Sequence, residues 1–322
     1  MFQTAFKKLS RLLVTKAAFF LPEPRRIAIE RRHRGREQLG KLRRADCTIV
    51  SYGKSGRTWL RVMLSRIYQT KYSLSTRSLL SFDNFHRKNT AIPRIFFTHD
   101  NYIRDYTGHT DARSDYADRK VVLLVRNPAD VAVSQFFQWQ HRMKSSKIDL
   151  LGFPQRDEAL DVFNFVIGAE AGLPRIIDFM NIWARDIDAL PDFLMVRYED
   201  LRKEPERVMG RLLEFMGTPA TAEEIRDAID FGSVDNMRKM EQKGSFWLSG
   251  GRMKPRDKAN PESFKVRRAK VGGYLDYFDD AQAQAIHAML RDRLSPVYGK
   301  CPQPVSEDTS TEDVIASART LK

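Results

Sequence analysis

The chain of 322 residues holds only two cysteines, Cys47 and Cys301. That excludes a disulfide framework and a cysteine-built metal centre, and it fits a reducing compartment. Long apolar runs are missing too. The stretch from Phe2 to Leu21 is interrupted by Lys7, Lys8, Arg11 and Lys16, which leaves it too short and too charged to cross a bilayer. No small-residue cleavage site follows it, so no secretory leader is expected. No internal repeat and no glycine- or serine-rich linker divides the chain, which favours one large unit over two joined ones.

What the chain has in excess is positive charge, unevenly spread. The formal net charge is +14, yet residues 1–44 carry 13 Lys and Arg against 3 Asp and Glu, and residues 238–270 carry 11 against 3. The remainder is slightly acidic. A uniformly basic nucleic-acid binder is therefore disfavoured, and no nucleic-acid partner is expected. Residues 1–44 read as a basic arm. Its first part fits an interfacial amphipathic helix or a helix packed on its own domain. Its second, Arg25 to Arg44, reads as a solvated basic helix, with attraction to anionic lipid as the functional alternative. The expected location is cytoplasmic, with peripheral contact at the inner face of the membrane as the role for the arm. Residues 45–300 form the core domain. The tail, 301–322, is rich in Ser, Thr, Asp and Glu and is expected to be disordered.

Within the core, apolar runs at Cys47–Tyr52, Arg94–Thr98, Val121–Val125 and Phe193–Arg197 alternate with helical patterns. That alternation predicts an α/β fold, a single domain with a central parallel sheet flanked by helices and ligands at the carboxyl ends of the strands. Tyr198-Glu199-Asp200-Leu201 follows the last run, with Asp200 as the expected N-cap of a helix from Leu201 to Met216. After the first run comes Tyr52-Gly53-Lys54-Ser55-Gly56-Arg57-Thr58-Trp59. A strand, a small-residue turn carrying a lysine and then a helix make an anion cradle, because backbone N–H groups and the helix N-terminus both point at the ligand. A Walker A loop would need a glycine at Thr48, so the full kinase pattern is absent.

A second run ends in Arg126-Asn127-Pro128-Ala129-Asp130-Val131-Ala132-Val133-Ser134. Pro128 suits a first helical turn, and Arg126 and Ser134 can reach one anion over the helix start. A third segment, Arg267-Arg268-Ala269-Lys270-Val271-Gly272-Gly273-Tyr274, couples basic residues to a glycine turn. Together, in this order, the three motifs resemble those of sulfotransferases that use 3′-phosphoadenosine-5′-phosphosulfate (PAPS), across most of Cys47 to Phe278. The departures are closer to a bacterial member than to an animal cytosolic one.

The resemblance implies PAPS as cosubstrate, adenosine 3′,5′-bisphosphate (PAP) as product and no metal. It implies a P-loop-like phosphosulfate-binding strand–loop–helix, with Lys54 on the leaving phosphate and Ser55, Gly56, Arg57 and Thr58 around the 5′-phosphosulfate. Trp59, Tyr198 and Ser233 fall at adenine positions. Arg126, Ser134, Arg267, Arg268 and Ala269 fall at the 3′-phosphate. Arg94-Ile95-Phe96-Phe97-Thr98-His99 is a strand ending in histidine, where imidazole can take a hydroxyl proton near neutral pH, and it resembles the element whose histidine is the catalytic base. Departures are Phe97 for a lysine, Arg57 for a common threonine, Ala269 for a glycine, Gly273 for an aspartate, Tyr274 for a tryptophan and Val234 for a common phenylalanine. The helical dimer motif of the animal branch is missing, which leaves the oligomeric state open.

The resemblance implies a hydroxyl acceptor, on a sugar or glycan, a lipid headgroup or another small molecule, and the mixed aromatic and basic character of residues 238–266 suits a sugar, an anionic amphiphile or a lipid headgroup. Residues 238–266, with Lys243, Phe246, Trp247, Arg252 and Lys254, lack regular periodicity and read as a substrate lid. The competing classes are a P-loop kinase or NTPase and a non-catalytic basic protein that binds membrane or nucleic acid.

Overall fold

The computed structural model describes residues 20–156, 160–246 and 255–299. The expectations for the first part of the arm, for Trp247, Arg252 and Lys254, and for Cys301 and the tail lie outside those residues. Four strands form one sheet: β1 (Cys47–Val50), β2 (Ile95–Thr98), β3 (Val121–Val125) and β4 (Phe193–Arg197). Their order is β2-β1-β3-β4, and every pairing is parallel. The helices used below are α1 (Glu23–Leu42), α2 (Arg57–Lys71), α3 (Ile103–Thr107), α4 (Pro128–His141), α5 (Ser145–Leu151), α6 (Leu173–Asp186), α7 (Tyr198–Lys203), α8 (Pro205–Phe215), α9 (Ala222–Phe231), α10 (Val234–Lys243) and α11 (Asp280–Arg293).

The β3 sequence VVLLV is buried at every position. A strand with both faces covered has no reason to alternate with polar residues, which is why it reads as an unbroken apolar run. Val121, Leu123 and Val125 pack with α4, α6 and α11 residues on one face. Val122 and Leu124 pack with residues of α2, α8 and α9 on the other. The result is a three-layer α/β domain. Each fully buried aliphatic side chain contributes about 1.5–3 kcal/mol.

Parallel pairing puts all four strand exits on one edge. The chain leaves β1 for β2 on one side and then returns to place β3 on the other, so the switch in strand order falls between β1 and β3. A crevice opens there by geometry alone, with the residues after Val50 on one wall and those after Val125 on the other.

Two sequence expectations need correction. The second part of the arm, read as a solvated helix, is α1, and it packs on the domain. Gly35, Leu39 and Leu42 are buried, and a Cβ on Gly35 would stand 2.1 Å from the Tyr102 carbonyl oxygen. Arg31 pairs with Asp105 at 2.9 Å and donates to the carbonyls of Leu150 and Asn101 at 2.8 and 3.0 Å. Asp200 does not cap a long helix. The helix starts at Tyr198, directly from the strand, and breaks at Glu204 (φ −133°, ψ 62°), because a residue before proline, here Pro205, is driven out of the helical region.

Among the described residues, no helix is long and apolar enough to cross a membrane.

Candidate active site

The strand exits converge on a cavity of about 660 Å³. At its floor, the β1–α2 loop turns through two left-handed residues, Lys54 (φ 70°) and Gly56 (φ 89°). At Gly56 the absent side chain is required twice over. Left-handed backbone disfavours a Cβ, and a Cβ there would meet the Tyr198 ring at 2.6 Å. Gly56 is also the N-cap of α2 and supplies no side-chain cap, which leaves the first-turn N–H groups available to an anion.

Across the crevice, Asn127 caps α4 by accepting from the amides of Ala129 and Asp130 at 2.9 and 3.3 Å. Arg126 lies over the Tyr198 ring, 4.5 Å from its centroid. It donates to the carbonyls of Lys54 at 3.3 Å and Lys270 at 3.1 Å, thereby joining the first and third motifs. Its Nε is buried with no hydrogen-bond partner, while its Nη2 lies 3.4 Å from the Asp130 carboxylate. Trp59 meets Tyr198 edge to face at 5.6 Å.

The 267–274 segment is held from below by Asp130, whose carboxylate accepts from the amides of Gly272 at 2.9 Å and Tyr274 at 3.0 Å. Ala269 sits at φ 54°, the backbone that a glycine would adopt without strain. Arg267 lies 3.7 Å over the Phe137 ring and pairs with Glu262 at 3.1 Å. Arg268 pairs with Asp276 at 2.5 Å.

His99 follows β2. Its Nδ1 lies 2.7 Å from the Ser51 carbonyl oxygen and its Nε2 2.5 Å from Arg57 Nη2. A carbonyl only accepts and a guanidinium only donates, so the proton is on Nδ1 and the lone pair is on Nε2. Burial first, then the positive charges of Arg57, Lys147 and Lys265, hold the imidazole well below its usual pKa against the Ser51 carbonyl. The next residue, Asp100, is left-handed (φ 52°). Its side chain turns away from the cavity to Arg104 at 2.7 Å and the Tyr116 hydroxyl at 2.8 Å, and burial pushes its carboxyl up to about 6.

Lys54 is pushed down to about 7, by burial and then by Arg142 and Arg126, with Glu241 opposing and Arg267 reinforcing. Burial is the largest cause of this shift, and the neighbouring arginines add to it, so an anion in the cavity would favour the charged lysine. Phe97, where the resemblance has a lysine, lies under the Arg61 guanidinium at 3.9 Å.

Of the residues singled out from the sequence, His99, Lys54, Gly56, Arg57, Thr58, Trp59, Arg126, Ser134, Tyr198, Arg267, Arg268 and Ala269 all line this cavity. Ser55 and Ser233 do not. Ser55 is buried beneath the loop at 2% exposure, and Ser233 caps α10, accepting from Asn236 N at 3.4 Å. The 238–266 segment begins as helix rather than irregular loop, since α10 runs to Lys243. The wholly buried Glu241 on it accepts from Lys265 N at 2.7 Å and Val266 N at 3.2 Å and pairs with Arg142 at 3.0 Å. Sequence reasoning missed Glu241, Arg142 and the anchoring role of Asp130. Asp130 lies inside a recognised motif. Glu241 sits on a helix of polar appearance, and nothing in the local pattern marks it.

A model of the sulfotransferase domain matches residues 44–297, and the chain belongs to the sulfotransferase family. It is 25% identical to a flavonol 3-sulfotransferase of Flaveria bidentis, over 80% of this chain and 84% of that protein. It is 26% identical to cytosolic sulfotransferase 13 of Arabidopsis thaliana, over 79% and 78%. Among solved structures, mouse sulfotransferase SULT7A1 complexed with PAP shares the fold at TM-score 0.51 and 17% identity, covering 88% of this chain and 94% of that one. Retinol dehydratase with retinol and PAP does so at TM-score 0.52 and 15% identity, covering 84% and 88%.

Proposed function

We propose that the chain moves a sulfuryl group from PAPS to a hydroxyl of a small-molecule acceptor, with His99 as general base. The observation that supports this reading is the convergence of an uncapped helix start, the Arg126 guanidinium and a histidine of fixed tautomer on one cavity. The residues fit a bisphosphate. In this reading the amides at the start of α2 and Lys54 take one phosphate, Arg126, Ser134, Arg267 and Arg268 take the other, and Trp59 and Tyr198 serve the adenine; that all these side chains line one cavity supports it. PAPS supplies an activated sulfuryl group whose bond to the bridging phosphate oxygen breaks as the acceptor oxygen bonds to sulfur.

The protein's part is to position, to neutralise and to take a proton. Nε2 of His99 carries the lone pair that accepts the hydroxyl proton. Arg57 Nη2 donates to that lone pair, and an anion over the β1–α2 loop competes for the same guanidinium. Charge arriving in the cradle thus draws Arg57 off the base. Lys54 offsets the charge that builds on the departing phosphate, and Arg57 assists at the position where the common residue is threonine. Glycan and lipid-headgroup hydroxyls remain acceptors within the same chemistry, and the basic α1 is an additional contact for anionic membrane.

His99→Ala tests the assignment. Turnover of PAPS with an acceptor should fall by about two to four orders of magnitude, the usual worth of a positioned base. PAP affinity, read by calorimetry, should stay within a few-fold. Loss of PAP binding in parallel would make His99 a structural residue.

A further inference from the structure

The cavity holds more positive charge than a nucleotide bisphosphate uses. Its only lining carboxylates among the described residues are Asp130 and Glu262, and both are already engaged, by the 272–274 amides and by Arg267. Arg61 and Lys147 line the same cavity as His99. Arg61 is 6% exposed, and its contact is the Phe97 ring at 3.9 Å. No carboxylate lies within ion-pair distance of it among the described residues. The guanidinium nitrogens keep contact with the cavity, and with only an aromatic face beside them they are open to an anion. Lys147, on α5 at the rim, is close enough to His99 and Arg57 for the charges to be felt by one another. Arg61 is one helical turn beyond Arg57, away from the loop that cradles the phosphate end of the cofactor. Apolar side chains, Phe137, Met143 and Phe153 among them, also line the cavity.

We propose that the acceptor carries its own anionic group, a carboxylate or a phosphate or sulfate ester, on an aromatic or amphiphilic body, and that Arg61 and Lys147 bind that group while the hydroxyl faces His99. This rests on the sulfotransferase reading of the site. Both are specificity-determining residues on the acceptor. A neutral phenol or alcohol leaves the Arg61 guanidinium without an anionic partner, whereas an anionic acceptor supplies one.

Calorimetry on the full chain saturated with PAP tests it, with 6-hydroxy-2-naphthoate as the anionic probe and 2-naphthol as its neutral counterpart. The naphthoate should bind roughly tenfold tighter or more, as expected of charge-assisted hydrogen bonds. Lys147→Met and Arg61→Met should each remove most of that preference while leaving 2-naphthol and PAP affinities unchanged. Lys147 lies at the rim, so that variant stands even if Arg61→Met does not fold. Equal binding of the two probes, failure of the naphthoate to bind, or a preference that survives Lys147→Met would overturn the proposal. So would an Arg61→Met enzyme that loses PAP affinity, since that would put the guanidinium on the cofactor. Failure of the wild type to bind PAP at all would instead strike the sulfotransferase reading beneath it.

Discussion

The chemistry of the site turns on a few side chains whose states are set by their neighbours. The tautomer of His99 follows from one carbonyl and one guanidinium, and its low basicity follows from burial and the cations around it. Replacing Arg57 by threonine removes the second largest of those influences, so the imidazole pKa should rise. The proposed base must be neutral to act, and the acid limb of the kcat/KM–pH profile, which reports the free enzyme, should therefore move to higher pH in Arg57→Thr. A limb that stays put would mean that the guanidinium does not depress the imidazole. Lys54 makes a complementary prediction. Its pKa lies at about 7, and a bound polyanion raises it. Below pH 7 the lysine is already charged and adds no pH dependence of its own to PAP affinity, which there follows the ionisation of the phosphates at about pH 6. Above pH 7 binding must take up a proton, and affinity should weaken by up to roughly tenfold per pH unit. Calorimetry in buffers of different ionisation enthalpy would read the proton uptake. The sequence located both residues, because each follows a strand end. It could not give their charge states, which depend on Arg142, Arg126 and Lys147 arriving from other elements.

At the scale of elements, the site is fastened together by contacts that no periodicity reveals. Asp130 ties the 267–274 segment to the start of α4, and Glu241 ties α10 to residues 265–266. The strands were legible because each is an apolar run, and the turns after β1 and β3 because a glycine loop and Asn127-Pro128 mark them; the helix start after β4 was not, since α7 leaves the strand directly at Tyr198. The packing of α1 was not. Its buried positions, Gly35, Leu39 and Leu42, are spaced as a helical stripe, but the dense arginines around them dominate the local composition. Gly35 carries the clearest test of that packing. A methyl group there would overlap the Tyr102 carbonyl, and overpacking of this kind costs about 1–3 kcal/mol. Gly35→Ala should lower Tm by several degrees. An unchanged Tm would mean that α1 does not dock on the domain as described.

For the whole molecule, the strand order β2-β1-β3-β4 is what places the three sequence motifs around one crevice. The β1 and β3 exits lie side by side at the switch point, so Lys54 and Arg126 meet across it. The alternation of apolar runs and helical patterns foretold a parallel sheet, though not which strands would be neighbours. That order comes from covering both faces of β3, a property of the assembled core.

The central claim is that this crevice binds a 3′-phosphorylated adenine nucleotide through Arg126. Titrating PAP and adenosine 5′-monophosphate into the wild type and Arg126→Ala, with ATP and Mg²⁺ as comparator, tests it most directly. PAP should bind the wild type more tightly than either comparator and without added metal. Arg126→Ala should lose roughly tenfold or more in PAP affinity, the scale of a charge-assisted phosphate contact, with little change for the monophosphate. Equal weakening of both nucleotides, or a wild type that prefers ATP with Mg²⁺, would contradict the account.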